Sequence, residues 1–178
     1  MVRKTLCLGA VGVPLWLAWW SPAHERGDLQ MRLISEDNLA VTTICQEAAG
    51  ESYLGKLAVA EVIRNRMQQR YQSDGTVSGT VLKPAQFSGW NTNAPGRIRD
   101  IRLDDEDLVV RDAILAWHEA KAGSNTVRGA VLYYAPDTLR KLSAPMPYWD
   151  DPHKTTKVAV VGLHHFFTDN SKSAIAKV

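Results

Sequence analysis

Two glutamates in the stretch ICQEAAGESY, residues 44–53, have the type and the spacing that acid–base chemistry requires. Glu47 and Glu51 are separated only by two alanines and Gly50. Because Gly50 is expected to interrupt a helix by taking the left-handed conformation, the two carboxyl groups should flank a tight turn. The small residues between them leave room for a bulky ligand to approach.

The two carboxyl groups are also expected in opposite environments. Glu47 should lie at the C-terminal end of one helix, where the dipole and apolar neighbours disfavour a charged carboxylate. Glu51 should lie at the start of the next helix, where the dipole favours charge. Such a pair is typical of the acid–base sites that cleave glycosidic bonds. The simpler alternative is that glutamates are common at helix ends and that Glu51 only caps a helix.

The helices that must position this pair are marked by caps and by apolar spacing. Ser35 can cap a first helix that ends near Gly50, and a second helix should start around Ser52 or Tyr53. Apolar positions from Leu57 to Met67 recur at helical intervals in the second helix, which should leave Arg64, Arg66 and Arg70 nearer the solvent. A third helix should be capped by Asp104, run to about Ala122 and end at Gly123.

The C-terminal part of the chain contains two β-branched and aromatic runs. Residues 127–134 form one strand candidate, which Pro136 terminates, and residues 158–167 form another with a break at Gly162. Between the helices, residues 72–102 form a long loop of the kind that is usually functional. The pattern predicts an α+β fold, mainly helical with a small late sheet.

The N-terminal residues are typical of an export signal. Arg3 and Lys4 precede the uncharged run 6–20, and small residues follow at 21–23. The segment could be a cleaved signal, a retained anchor or an anchor that later leaves the membrane; an N-terminal helix packed on the core is a fourth reading. We therefore expect 1–23 as signal or signal-anchor, 24–34 as linker, 35–170 as catalytic domain and 171–178 as a polar tail.

Composition excludes some classes of function. The net charge of +2 and the absence of a basic stripe argue against nucleic acid. The two cysteines, Cys7 and Cys45, do not make a disulfide scaffold, although they could pair as a regulatory switch if the N-terminal segment is retained; otherwise Cys45 is a small buried apolar residue. No convincing metal-ligand spacing occurs among the histidines, and residues 104–107 lack the EF-hand pattern, so no metal or cofactor is expected.

Four ordered blocks resemble the SleB-type cell-wall hydrolases, the spore cortex-lytic family. They are CQEAAGESYLGKLAVAEVIRNR at 45–66, QFSGWN at 86–91, GAVLYYAP at 129–136 and VGLHHFF at 161–167. The similarity runs from about Leu39 to Phe167. This sequence departs from the family pattern at Leu163, where asparagine is usual, and at Phe167, where tyrosine is usual.

The resemblance implies a fold similar to that of lysozyme-like lytic transglycosylases. It also implies an activity that cleaves the glycan between N-acetylmuramic acid and N-acetylglucosamine. Glu47 would be the general acid and base, and Glu51 would orient or support the site. The residues implied in substrate binding are Gln86, Phe87, Ser88, Trp90, Tyr134, Trp149 and His164. Adjacent Tyr133 and Tyr134 must face opposite sides of a strand, and the resemblance favours Tyr134 as the one in the cleft. Loop solvation is the alternative for Gln86 and Ser88.

The expected partners are peptidoglycan glycan strands and, through the N-terminal segment, the cytoplasmic membrane, with the protein a monomer exported to the periplasm. A short chain with an export signal fits a phage endolysin. A bacterial wall-remodelling enzyme of the same family, and a non-catalytic peptidoglycan-binding domain anchored to the membrane, are the alternatives.

Overall fold

The computed structural model describes residues 35–91 and 107–173. Its elements, in chain order, are α1 Glu36–Ala48, α2 Tyr53–Gln69, α3 Val77–Val81, a 3-10 helix Ser88–Trp90, α4 Leu108–Lys121, β1 Leu132–Tyr134, α5 Pro136–Lys141, β2 Thr155–Val161, β3 His164–Asp169 and α6 Asn170–Ser173. The predicted α+β class, mainly helical with a small late sheet, is confirmed. The N-terminal signal, the linker and Cys7 lie outside the described residues.

The turn between α1 and α2 sets the position of both glutamates. Ser35 caps α1 as predicted, because its side chain accepts a hydrogen bond from the Asn38 N–H. The helix ends at Ala48, and the Glu51 N–H donates to the Ala48 carbonyl at 3.1 Å. The prediction of a left-handed Gly50 is wrong: positive φ occurs at other described glycines, and the chain leaves α1 through Ala49 in the right-handed helical region.

Helix α2 is the buried centre of the helical part, contacted by α1, α3 and α4. The expectation that Arg64 and Arg66 lie nearer the solvent is wrong, since their side chains are 9% and 4% exposed. Both can be buried because carbonyl oxygens satisfy their guanidinium groups. Arg64 Nη1, for example, donates to the carbonyls of Ala120 and Ser124 at 2.8 and 2.6 Å.

Helix α4 begins later than predicted. Asp107 is its N-cap and accepts from the Val109 N–H at 2.8 Å, whereas Asp104 lies outside the described residues. The helix ends at Lys121, and Gly123 follows with φ of +105°, as the sequence predicts for a helix terminator. Within 35–91 and 107–173, no helix has both the length and the apolar character needed to cross a membrane.

The sheet differs from the sequence prediction at two places. The first strand is only Leu132–Tyr134, because a turn with positive φ at Arg128 and Gly129 occupies the preceding residues. The second predicted strand is an antiparallel hairpin, β2 and β3, that turns at Gly162 with φ of +56°. The strand order is β1-β3-β2.

The register gives the sheet two distinct faces. Tyr133 pairs with Phe166 and shares its side with His164; we call this the cleft face. Tyr134 pairs with His165 and stacks on Phe167; we call this the outer face. Since side chains alternate along a strand, groups on one face cannot reach a ligand bound on the other.

Candidate active site

Glu47 receives hydrogen bonds from two hydroxyl groups that come from distant segments. The Tyr133 hydroxyl donates to Oε2 at 3.0 Å, and the Ser88 hydroxyl donates to Oε1 at 3.3 Å. Glu47 lies in the last turn of α1, Ser88 in the 3-10 helix and Tyr133 in β1. The fold therefore holds both oxygens of one half-exposed carboxyl group while leaving that group open to the surface.

Tyr133 is a neutral donor at this site. Burial raises the pKa of Tyr133 well above its usual value, and the nearby Glu47 carboxyl raises it further. Its ring stacks on Phe166 and meets the His164 ring edge to face at 5.4 Å. At neutral pH the phenol is therefore protonated and fixed in direction, as a hydrogen-bond donor to a carboxylate must be.

Glu51 lies beside the same face of the sheet but with different neighbours. Its Oε1 is 3.4 Å from His164 Nδ1, and both side chains are mostly buried. Its backbone carbonyl accepts from Lys56 Nζ at 2.7 Å, which fixes the start of α2. A Cβ atom on Gly162 would lie 2.0 Å from Glu51 Oε2, so only glycine allows the β2–β3 turn to approach this carboxyl group.

His164 is neutral at pH 7 in this setting. Burial lowers the pKa of His164, and the attraction of Glu51 and Glu47 offsets this only in part. The 3.4 Å separation from Glu51 is therefore not an ion pair at neutral pH. His164 therefore places no positive charge beside Glu51 at this pH.

Four of the predicted substrate-binding residues lie in the segment 86–90, and only one of them contacts Glu47. Phe87 is fully buried, and Trp90 Nε1 donates to the Thr43 hydroxyl at 3.0 Å, so both anchor the loop to the core. Gln86 Oε1 accepts from Arg66 at 2.9 Å, while its Nε2 donates to Gln72 at 2.7 Å. Ser88 alone reaches the carboxyl group. Binding of substrate by any of these side chains stays a prediction.

Arg66 is a site residue that sequence reasoning missed. Its Nε donates to the Val131 carbonyl at 2.6 Å, and its Nη1 donates to Gln86. Val131 directly precedes the strand that carries Tyr133, and Gln86 is two residues before Ser88. One buried guanidinium thus ties together the two segments that supply hydroxyl groups to Glu47. The clue in the sequence was its position at the end of the 45–66 block.

Tyr134 is not on the side where the sequence analysis placed it, and Trp149 packs beside it. Tyr133, not Tyr134, faces Glu47, so the assignment of Tyr134 to the cleft is corrected. Tyr134 lies on the outer face, where its ring meets Trp149 edge to face at 5.6 Å and its hydroxyl donates to Asp150. The cause is the register of β1 against β3, which a one-residue shift would reverse.

Cys45 is a buried free thiol close in sequence to Glu47. Burial raises the pKa of Cys45 to about 11, so the thiol is protonated at neutral pH and a poor nucleophile for disulfide exchange in this conformation. A switch that pairs it with Cys7 stays a prediction. In the described ranges, no three His, Cys, Asp or Glu side chains are grouped as a metal site.

Known proteins resemble this chain in sequence and in fold. The family model described as Cell Wall Hydrolase matches residues 50–167. That range contains Glu51, Ser88, Tyr133 and His164, and it begins three residues after Glu47. The match therefore does not include Glu47, whose catalytic role stays a prediction supported by the motif at 45–66 and by its hydrogen bonds.

The curated relatives are spore cortex-lytic enzymes. That of Bacillus cereus is 33% identical over 100 residues, which cover 56% of this chain and 34% of the relative. That of Oceanobacillus iheyensis is 35% identical over 100 residues, covering 56% and 32%. The matched part thus spans about a third of the length of these relatives.

Solved structures agree with the sequence relatives. The catalytic domain of the germination-specific lytic transglycosylase SleB from Bacillus anthracis superposes with a TM-score of 0.54 at 25% identity, covering 75% of this chain and 93% of that domain. The catalytic domain of the Bacillus cereus SleB protein gives the same TM-score and identity and is covered to 89%. With the match over residues 50–167, these similarities show that the chain belongs to the Cell Wall Hydrolase family.

Proposed function

We propose that this protein cleaves peptidoglycan glycan strands between N-acetylmuramic acid and N-acetylglucosamine, with Glu47 as general acid and then base. The observation that carries this proposal is the geometry of Glu47, an accessible carboxyl group held by Tyr133 and Ser88. A carboxyl group in a fixed direction at an open surface can deliver a proton to a bound glycosidic oxygen. The solved relative described as a lytic transglycosylase supports the same chemistry.

In the first step, protonated Glu47 gives its proton to the glycosidic oxygen as the bond from that oxygen to C1 of the muramyl sugar breaks. Positive charge then develops on the sugar ring, and Glu51, whose carboxyl group lies beside the neutral His164 on the cleft face, would support it electrostatically. Tyr133 and Ser88 stabilise the carboxylate left on Glu47.

In the second step, the Glu47 carboxylate accepts a proton from the attacking oxygen. If the muramyl 6-hydroxyl attacks C1, the product is a 1,6-anhydro sugar and no second catalytic carboxylate is needed. If water attacks, the product is a reducing sugar. Both routes return Glu47 to its protonated state, so one carboxyl group balances the proton transfers in either reaction.

Digestion of purified peptidoglycan by wild type and by Glu47→Gln, with products identified by mass spectrometry, tests the proposal. Anhydro-muropeptides from wild type alone support a lytic transglycosylase, and reducing ends from wild type alone support a muramidase. Equal activity of both proteins places the acid elsewhere. Binding to the wall without sugar release from either protein supports a non-catalytic binding domain instead.

We further propose that the protein acts outside the cytoplasm as a phage endolysin that residues 1–23 direct to the periplasm, either tethered or released. The charge and apolar pattern of residues 3–23 supports export. A wall-remodelling enzyme of a bacterium is the close alternative. Fractionation of Gram-negative cells expressing the full chain or a chain lacking residues 2–23 tests export. Lysis by both chains would contradict the proposed role of the segment.

A further inference from the structure

A cavity of about 460 Å³ lies on the outer face of the sheet, the face that does not contact Glu47. Tyr134 and His165, paired across β1 and β3, line it together with Phe167. Met146 and two prolines add an apolar wall. Its volume lies in the range of about 300–1,000 Å³ typical of small-ligand sites.

The aromatic floor of this cavity is held rigidly. The Tyr134 ring stacks on Phe167 with centroids 5.5 Å apart, and Trp149 packs edge to face against both rings. The Tyr134 hydroxyl donates to Asp150, which fixes that carboxylate at the wall of the cavity. A preformed site of this kind loses little conformational freedom when a ligand binds.

The polar groups of the cavity include both signs of charge. Lys157 lines it with an exposed ammonium group, and in the part of the chain that the structure describes no ion pair involves this lysine. His165 contacts Tyr134 through its ring at 6.2 Å, and neither of its nitrogens has a hydrogen-bond partner among the described residues. Asp150 supplies the opposite charge. The cavity therefore offers a cation, an imidazole and a carboxylate beside apolar groups.

We propose that this cavity binds the stem peptide of peptidoglycan, a short peptide that carries free carboxylates and a free amine. Lys157 and His165 would contact a carboxylate, Asp150 the amine, and Met146 the aliphatic carbons between them. A neutral sugar would use the aromatic floor but leave both charges unmatched. The proposal rests on the proposed function, because it concerns a second contact with the same polymer.

A second contact on the outer face would change which wall regions the protein prefers. Once a glycan strand lies at Glu47, a stem on the same or a neighbouring strand is present at high effective concentration, so even a weak second contact raises overall affinity. The protein would therefore favour strands that carry peptides over strands from which peptides have been removed.

Sedimentation binding to insoluble peptidoglycan tests this with the Glu47→Gln full chain, which keeps the wall intact during the measurement. One wall sample retains its stems, and a matched sample has been stripped of them by an amidase. Lys157→Glu is added as the cavity variant. Arg111→Glu, on the exposed side of α4, is the matched control because it changes the net charge equally.

We expect Glu47→Gln to bind the wall that retains its stems about five- to tenfold more tightly than the stripped wall. One or two charge-assisted hydrogen bonds at a partly exposed site would account for a difference of that size. Lys157→Glu should abolish this preference, and Arg111→Glu should retain it. Equal binding to both walls overturns the proposal, as does a preference that survives Lys157→Glu or is lost equally in Arg111→Glu. A preference for stripped wall would indicate a sugar site.

Titration of the labelled protein with free stem peptides, followed by NMR shifts of Tyr134 and His165, gives a direct readout. Shifts confined to outer-face residues support the cavity, and shifts confined to residues around Glu47 contradict it. These results stay distinct from a failure of the proposed function, since loss of sugar release would appear only in the digestion of peptidoglycan by the active chain.

Discussion

The Tyr133 hydroxyl donates a 3.0 Å hydrogen bond to Glu47 Oε2, although 86 residues separate the two in the chain. This bond joins the last turn of α1 to the short edge strand β1. It makes the direction of the carboxyl group depend on the register of the sheet, which links the fold to the proposed chemistry.

Removing that hydroxyl should slow catalysis without unfolding the protein. Tyr133→Phe is expected to lower kcat on peptidoglycan about 10- to 100-fold, because a hydrogen bond to a charged group is worth about 1.5–3 kcal/mol. Tyr53→Phe is the matched control, since it removes a tyrosine–carboxylate hydrogen bond to Glu119 outside the site. Comparable losses in the two variants would argue against a specific role for Tyr133.

Arg66→Lys should reduce activity more than an equivalent change elsewhere on α2. Lysine cannot donate to Val131 and Gln86 together in the fork geometry of arginine, so the segments carrying Tyr133 and Ser88 should separate. We expect at least a tenfold fall in kcat, assayed well below Tm. Arg64→Lys, which disturbs contacts with the end of α4, should lower Tm with a smaller effect on kcat. The reverse order of effects would contradict the positioning role of Arg66.

Gly162→Ala should damage the site through Glu51. The added Cβ would lie 2.0 Å from Oε2, so the carboxyl group or the β2–β3 turn must move. Gly123→Ala is the control, because that residue also has positive φ but its Cβ would meet open space. Both variants should lose about 1 kcal/mol or more of stability from backbone strain. Only Gly162→Ala should also lose kcat, and equal kcat in the two would refute the contact.

Acidification should destabilise the wild type relative to His164→Phe. Because the folded-state pKa of His164 lies below 6.5, the unfolded chain binds a proton more readily than the folded one between those two values. The contribution of His164 to the free energy of unfolding is complete above about pH 6.5, and it is lost as the pH falls from there through the folded-state pKa of this histidine. Urea unfolding at pH 7.5 and 5.5 measures this. A stability difference between the two proteins that does not change with pH would contradict the burial of a neutral His164.

The helix limits could be predicted from residues close in the sequence, whereas the site depends on the pairing of strands that are distant in the sequence. Ser35 and Gly123 mark helix ends through their own chemistry, so those limits could be read from the sequence. The choice between Tyr133 and Tyr134 depends on how β1 pairs with β3, and no local signal records that pairing.

The burial of a charged side chain also could not be predicted from the sequence. Arg66 looks like a surface residue by composition, and only the carbonyl of Val131 and the amide of Gln86 make its burial acceptable. The turn around Gly129 shortened β1 because positive φ at two consecutive residues is incompatible with a strand. The two glutamates flanking a turn were predictable because Gly50 and Ser52 are typical of a helix end and a helix start, although Gly50 does not take the left-handed conformation.

The proposed role of Glu47 is tested most directly by the rate of glycan cleavage by wild type, Glu47→Gln and Glu51→Gln on the same purified peptidoglycan, with folding verified by thermal unfolding. Our expectation is that Glu47→Gln loses about 1,000-fold or more of the rate, as a general acid–base residue assisted by positioned groups should, and that Glu51→Gln retains measurable cleavage. Retention of more than a tenth of the wild-type rate by Glu47→Gln would contradict it.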